Sequence, residues 1–170
     1  MNQSIAKAYI IYHEVAHALV ALKKGICIDE ISLNSDPPQT RVNTTSFKSR
    51  SRHDQITFYV AGDVSSDIYM ELNHGKPKFL EIYKKFKKSG SNNDYNEIRK
   101  LLRLPFFIPI YFVKQTKAVK KAQQDAKEIL EQNEELNNKL SSALLKKRTL
   151  SNNELIQIIT SSITTPRTTT

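Results

Sequence analysis

The stretch Ile10-Ile11-Tyr12-His13-Glu14-Val15-Ala16-His17-Ala18-Leu19-Val20-Ala21-Leu22-Lys23-Lys24-Gly25 decides how this chain is read. Its apolar run is broken by His13, Glu14 and His17, in the pattern H-E-x-x-H. Residues four apart on a helix share a face, with Cβ atoms about 6 Å apart. Two imidazoles so placed can reach one metal ion. Glu14 sits beside them, close enough to touch a water on that ion without being a ligand. This is the first half of a zinc hydrolase site. The plainer alternative is a surface helix with two solvated histidines. Against it, the flanks are apolar nearly all round, and such a helix is buried. Buried charge needs a partner, and a metal ion supplies one. Lys23 and Lys24 followed by Gly25 read as a cationic last turn and a glycine stop.

The chain has 170 residues, enough for one domain over residues 1–163 with a polar, disordered tail at 164–170. Four glycines and no tryptophan suit a helix-rich fold better than a many-turned sandwich. The N-terminal residues lack a secretory pattern. The longest later apolar run, residues 104–113, contains Pro105 and Pro109 and falls short of the ~20 residues a spanning helix needs. These features predict a soluble, cytoplasmic chain without a transmembrane segment. Cys27 is the lone cysteine, so no internal disulfide forms, in keeping with a reducing compartment. It reads as a small residue packed in a strand rather than as a nucleophile. The net charge is +9, with lysine clusters at Lys84 to Lys88, at Lys117 to Lys121, and at Lys146 and Lys147. Such runs can mark nucleic-acid or anionic-membrane contact. Here they fall on amphipathic helical segments without a stacking surface, which reads as a solvated face and speaks against nucleic acid as a partner.

Periodicity and punctuation predict a first helix over 3–24, a strand over 26–33, a loop over 34–39 and a weaker strand over 41–47. Ser51 caps a helix over 52–72 that Gly75 closes. Further helices are expected over 77–88 and 93–102. A long amphipathic helix is expected over 110–147, bent near its start. Ser151-Asn152-Asn153-Glu154 forms a capping box opening a last helix to about 163. The fold class is mainly α, with a small β element after the first helix and a long C-terminal helix packed across the helices that carry the site.

A catalytic zinc usually takes three protein ligands and keeps one position open. The extended H-E-x-x-H-x-x-G-x-x-H form is absent, since Val20 and Lys23 stand at the later positions. The third ligand must come from elsewhere. Asp63, Asp67, Asp94, Glu71, His53 and His74 are the candidates, and spacing does not choose among them. Asp94 also completes Ser91-x-x-Asp94, a capping box.

Residues 8–21 resemble the opening helix of the peptidase domain of FtsH-type ATP-dependent zinc metalloproteases. Ala61-Gly62-Asp63-Val64-Ser65-Ser66-Asp67 is similar to a degraded copy of that family's Gly-Gly-Arg-Ala-Ala-Glu-Glu segment. Ser91-Asn92-Asn93-Asp94-Tyr95 resembles its Ser-Asn-Asp-Leu segment, whose aspartate is the third zinc ligand. Residues 126–130, 140–145 and 149–150 look like its closing helices. The ordered likeness spans about 6–159. Departures are Ala16 where the family has glycine, and Asp63, Ser66 and Asp67 where it has arginine and two glutamates. No phosphate-binding G-x-x-x-x-G-K-[ST] occurs, so no ATPase module is encoded.

The resemblance implies Zn²⁺ held by His13, His17 and Asp94, with Glu14 as general base in peptide hydrolysis. The substrate would be a peptide or unfolded protein, paired along an exposed edge of the strand at 28–33. It also implies homo-oligomers and a separate ATPase partner. An anchor on the chain or on a partner would bring it to a membrane. The competing expectation is a catalytically idle member kept as a binding or regulatory module, which the altered 61–67 segment favours.

Overall fold

The structure, a computed structural model, describes residues 3–74 and 91–163, with side chains for 7–69 and 92–162. The helix expected at 77–88, the stop at Gly75 and the tail at 164–170 lie outside the described residues. What is described is mainly helical, with one small three-stranded sheet.

Helix α1, Gln3–Lys23, is the axis of the molecule. Every residue from Val15 to Ala21 is buried, as an all-round apolar helix requires. It ends as its sequence suggests. Gly25 takes φ +67°, its N–H donates to the Leu22 carbonyl, and Ile26 N–H donates to that of Ala21. These two bonds form a Schellman stop, for which the left-handed glycine is needed. The chain turns directly into β1, Ile28–Ser32. Strand β2, Gln39–Val42, pairs antiparallel with β1, with Ile31 opposite Thr40. The weaker strand expected over 41–47 is therefore earlier and shorter. Asn43 cuts it off by accepting the Ser46 N–H and capping the short helix α2, Thr44–Lys48.

Helix α3, Arg52–His74, starts on Ser51, whose Oγ accepts the Asp54 N–H. It packs along α1. Helix α4, Ser91–Leu101, lies against α3. The expected long helix over 110–147 is instead three: α5 Ile110–Gln115, α6 Lys117–Gln132 and α7 Glu134–Lys147. Side chains make the breaks. Thr116 has an extended backbone and turns its Oγ1 to the Val119 N–H, so one helix ends and the next is capped. Asn133 donates its amide to the Ile129 carbonyl at the second break. The packing is as expected in pieces: α6 crosses α3 and α1, and α7 lies on α1.

After α7, Arg148 adopts a left-handed φ of 68° and leads into β3, Thr149–Ser151. This strand, absent from the sequence expectation, pairs antiparallel with β1, Leu150 opposite Ile31. The sheet order is β2-β1-β3, so β1 has both edges paired. Ser151 and Glu154 form the expected capping box, with Ser151 N–H donating to Glu154 Oε2 at 2.8 Å, and open helix α8, Asn152–Ile163. Cys27 departs from its expected place. It precedes β1 and is exposed, because the alternation that buries Ile26 and Ile28 turns it outward. Among the described residues, no helix is long and apolar enough to cross a membrane.

Candidate metal centre

Helix α1 carries His13 and His17 on one face, and α4 brings Asp94 to them. His13, Glu14 and His17 are 6, 6 and 4 % exposed. The Nε2 atoms of the two histidines lie 3.1 Å apart. Asp94 Oδ2 is 3.3 Å from His13 Nε2 and 3.4 Å from His17 Nε2. An ion bound tetrahedrally at about 2.0–2.1 Å spaces its ligand atoms by roughly 3.3–3.4 Å. The triangle has that size. Asp94 Oδ2 is also buried with only these two long imidazole contacts, and a cation held between the three atoms would satisfy them all. His13, His17 and Asp94 thus form a group that could hold a metal ion.

The surroundings orient these atoms. His17 Nδ1 lies 2.8 Å from the Phe58 carbonyl. A carbonyl only accepts, so Nδ1 keeps its proton, and it is Nε2, facing Asp94 and His13, that gives up a proton to offer a lone pair to a metal. The His13 ring lies on Gly62 of α3. A Cβ built there would come within 2.5 Å of both His13 Nδ1 and Nε2. Ala16 and Ala61 are fully buried, and Ser65 Oγ donates to the Tyr12 carbonyl. The altered 61–67 segment is therefore a small-residue face that lets α3 approach α1.

We expect Gly62→Ala to push the His13 ring out of the triangle. Alanine favours an exposed helix interior over glycine by about 1 kcal/mol, but here the methyl has no room. Metal affinity, measured by chelator competition, should fall at least about tenfold, the size of losses from misoriented ligands. Unchanged affinity would show that the ring is not where Gly62 admits it.

The other candidates are elsewhere. His53 pairs with Asp125 at 2.7 Å. Asp63 is buried and takes Lys114 Nζ at 2.8 Å and the Tyr95 hydroxyl at 3.0 Å. Tyr95 is fully buried next to Asp94, so Asp63 anchors α4 rather than joining the group. Asp67 is exposed on α3 and is not in the group. The side chains of Glu71 and His74 lie outside the described residues.

Glu14 faces the same cleft, of about 200 Å³, lined also by Pro38, Gln39, Thr40, Phe58, Tyr59 and Asp94. Thr40 of β2 places its hydroxyl 3.0 Å from Glu14 Oε2 and 2.7 Å from the Glu14 carbonyl. Thr40 and Gly62 are the residues the sequence reading missed. A glycine inside a helix usually has a packing reason, so Gly62 left a trace. Thr40 left none, because only strand pairing brings it to α1. The expected edge of β1 is also corrected, since β1 is the central strand. The outer edge beside the cleft belongs to β2.

Burial lowers the His17 pKa, but the charge of Asp94, then that of Glu14 and the Phe58 carbonyl, raise it further, to about 9. Burial raises that of Asp94, while the charge of His17 and the close imidazoles bring it down to about 2. At neutral pH a metal must displace a proton from His17. Its apparent affinity should fall about tenfold per pH unit below about 9, with proton release on binding. Protein stripped by a chelator should trend the other way. The raised His17 contributes stability that is full below about pH 6.5 and lost as pH rises through about 9. Melting curves with and without metal across this range check both signs; parallel curves would refute them.

No protein-family model matches the chain, and no curated protein does.

Proposed function

We propose that this chain is a zinc-dependent endopeptidase of the FtsH peptidase-domain type, with Glu14 as general base. The observation that carries the reading is a buried carboxylate, Glu14, facing the same cleft as a three-donor triangle of metal-binding size. Two histidines and a carboxylate also suit iron. The H-E-x-x-H helix, with its glutamate held apart from the triangle, favours zinc and hydrolysis.

When bound, zinc supplies Lewis acidity that brings the pKa of water toward 7 and polarises a carbonyl. The protein's own residues do the rest. Glu14 Oε2 is engaged by Thr40, which leaves Oε1 to take the proton of the attacking water and pass it to the leaving nitrogen. Burial, with the charges of Glu97 and Asp94, raises the Tyr59 pKa. Its phenol stays protonated and can donate within the cleft. An extended substrate backbone is read along the outer edge of β2, where Gln39 and Thr40 line the cleft. Edge pairing uses main-chain groups, so sequence preference is loose, as suits peptides and unfolded proteins. A separate ATPase partner and self-assembly remain part of this proposal through the resemblance alone.

The test is metal analysis of the purified protein together with casein or peptide cleavage, before and after chelation and zinc return. Zinc at one per chain, with cleavage that follows zinc, is the expected result. Protein that binds no zinc and cleaves nothing would favour the idle binding module. Iron in place of zinc would overturn the hydrolase assignment.

A further inference from the structure

Residues 104–112 read Leu-Pro-Phe-Phe-Ile-Pro-Ile-Tyr-Phe, without a polar side chain other than one phenol. The structure turns much of this run outward. Phe106 and Phe107 are 84 and 80 % exposed, and Tyr111 and Phe112 of α5 are 66 and 59 % exposed. Large aromatics exposed together mark an interaction surface. The tip is also held in place. Val113 is fully buried, Lys114 reaches back to buried Asp63, and the Arg99 guanidinium sits 5.1 Å from the Phe106 ring centre.

Charge says what covers the tip. From Ile98 to Gln124 the chain has arginines and lysines but not one aspartate or glutamate. Lys100 and Arg103 precede the tip, Lys117, Lys120 and Lys121 follow it, and all five are exposed. The basic run at 117–121 is thus accompanied by an aromatic surface, contrary to the sequence expectation. The cations flank the apolar tip rather than alternating with it. A stacking platform for nucleic acid needs aromatics set within a cationic groove, and here the exposed aromatics belong to one continuous apolar run with prolines. Exposed aromatic side chains, flanked along the chain on both sides by exposed lysine and arginine, match the layering of an anionic bilayer surface.

We propose that residues 104–112 seat this protein on anionic membranes, with Phe106, Phe107, Tyr111 and Phe112 entering the interface and the flanking cations meeting lipid headgroups. The proposal is independent of the peptidase reading.

The chain has no tryptophan, so Phe107→Trp introduces a single tryptophan at the tip, excited selectively apart from the tyrosines. Its emission should shift to the blue with vesicles of phosphatidylcholine plus phosphatidylserine, less with phosphatidylcholine alone, and less again at high salt. In co-sedimentation, the full chain should bind the anionic vesicles. The Phe106→Ser/Phe107→Ser variant should lose roughly tenfold or more of that affinity. Lys117→Glu/Lys120→Glu/Lys121→Glu should lose the preference for phosphatidylserine. An unmoved tryptophan, or serine variants that bind like the parent, would overturn the proposal. So would tighter binding to single-stranded oligonucleotides than to vesicles, or a dimer in sedimentation velocity that the serine variant abolishes while vesicles are ignored.

Discussion

Glu14→Gln is expected to keep zinc and to lose roughly 10²–10⁴-fold in kcat, the range a positioned general base supplies. The two side chains have the same shape. The amide oxygen can still accept from Thr40 Oγ1, as Glu14 Oε2 does at 3.0 Å. His13, His17 and Asp94 are untouched, so metal content should match the parent. What disappears is the basic oxygen. Hydrolysis at parental rate by a zinc-loaded Glu14→Gln protein would remove Glu14 from the base role. A variant that has also lost its zinc would place Glu14 among the ligands.

Asp94→Asn is expected to weaken zinc binding by more than about a hundredfold, since removing groups that merely orient ligands already costs 10–100-fold. The amide oxygen still fits the triangle, but without its charge. A second effect separates this from helix capping. The charge of Asp94 is the strongest influence raising the His17 pKa against burial. In chelator-stripped Asp94→Asn protein, the loss of stability with rising pH that marks the parent should therefore disappear. A capping role alone predicts otherwise: zinc affinity unchanged, and a pH-independent loss of about 1 kcal/mol of stability.

The parts of the fold legible in the sequence were those governed by local chemistry. The run around His17 gives a buried helix, Gly25 gives its left-handed stop, and Ser151 with Glu154 gives a cap. Each needs only neighbours a few residues away. The breaks at Thr116 and Asn133 were hidden because the buried positions Val119, Ala122, Ala126, Leu130, Leu140 and Leu144 continue in one core across them. Periodicity reports which face is apolar and is blind to a single side chain turning onto the backbone. Strand β3 is three residues long, too short to carry a pattern, and exists because β1 offers it an edge. The site divides in the same way. Helical spacing places His13, Glu14 and His17. Asp94 follows only from the family resemblance, and its approach to the histidines depends on Tyr95 being anchored by Asp63 and Lys114. Thr40 depends on strand register, which no local reading contains.

The pairing of β3 with β1 has a bearing on how the protein matures. A nascent chain released only as far as Asp94 already contains all the donors and the base, yet the strand beside β1 has not been synthesised. Thr40 reaches Glu14 from β2, and β2 is aligned by β1. Such long-range closure is slow compared with helix formation. The sheet that aligns Thr40 with Glu14 is therefore completed late, once translation has passed Ser151.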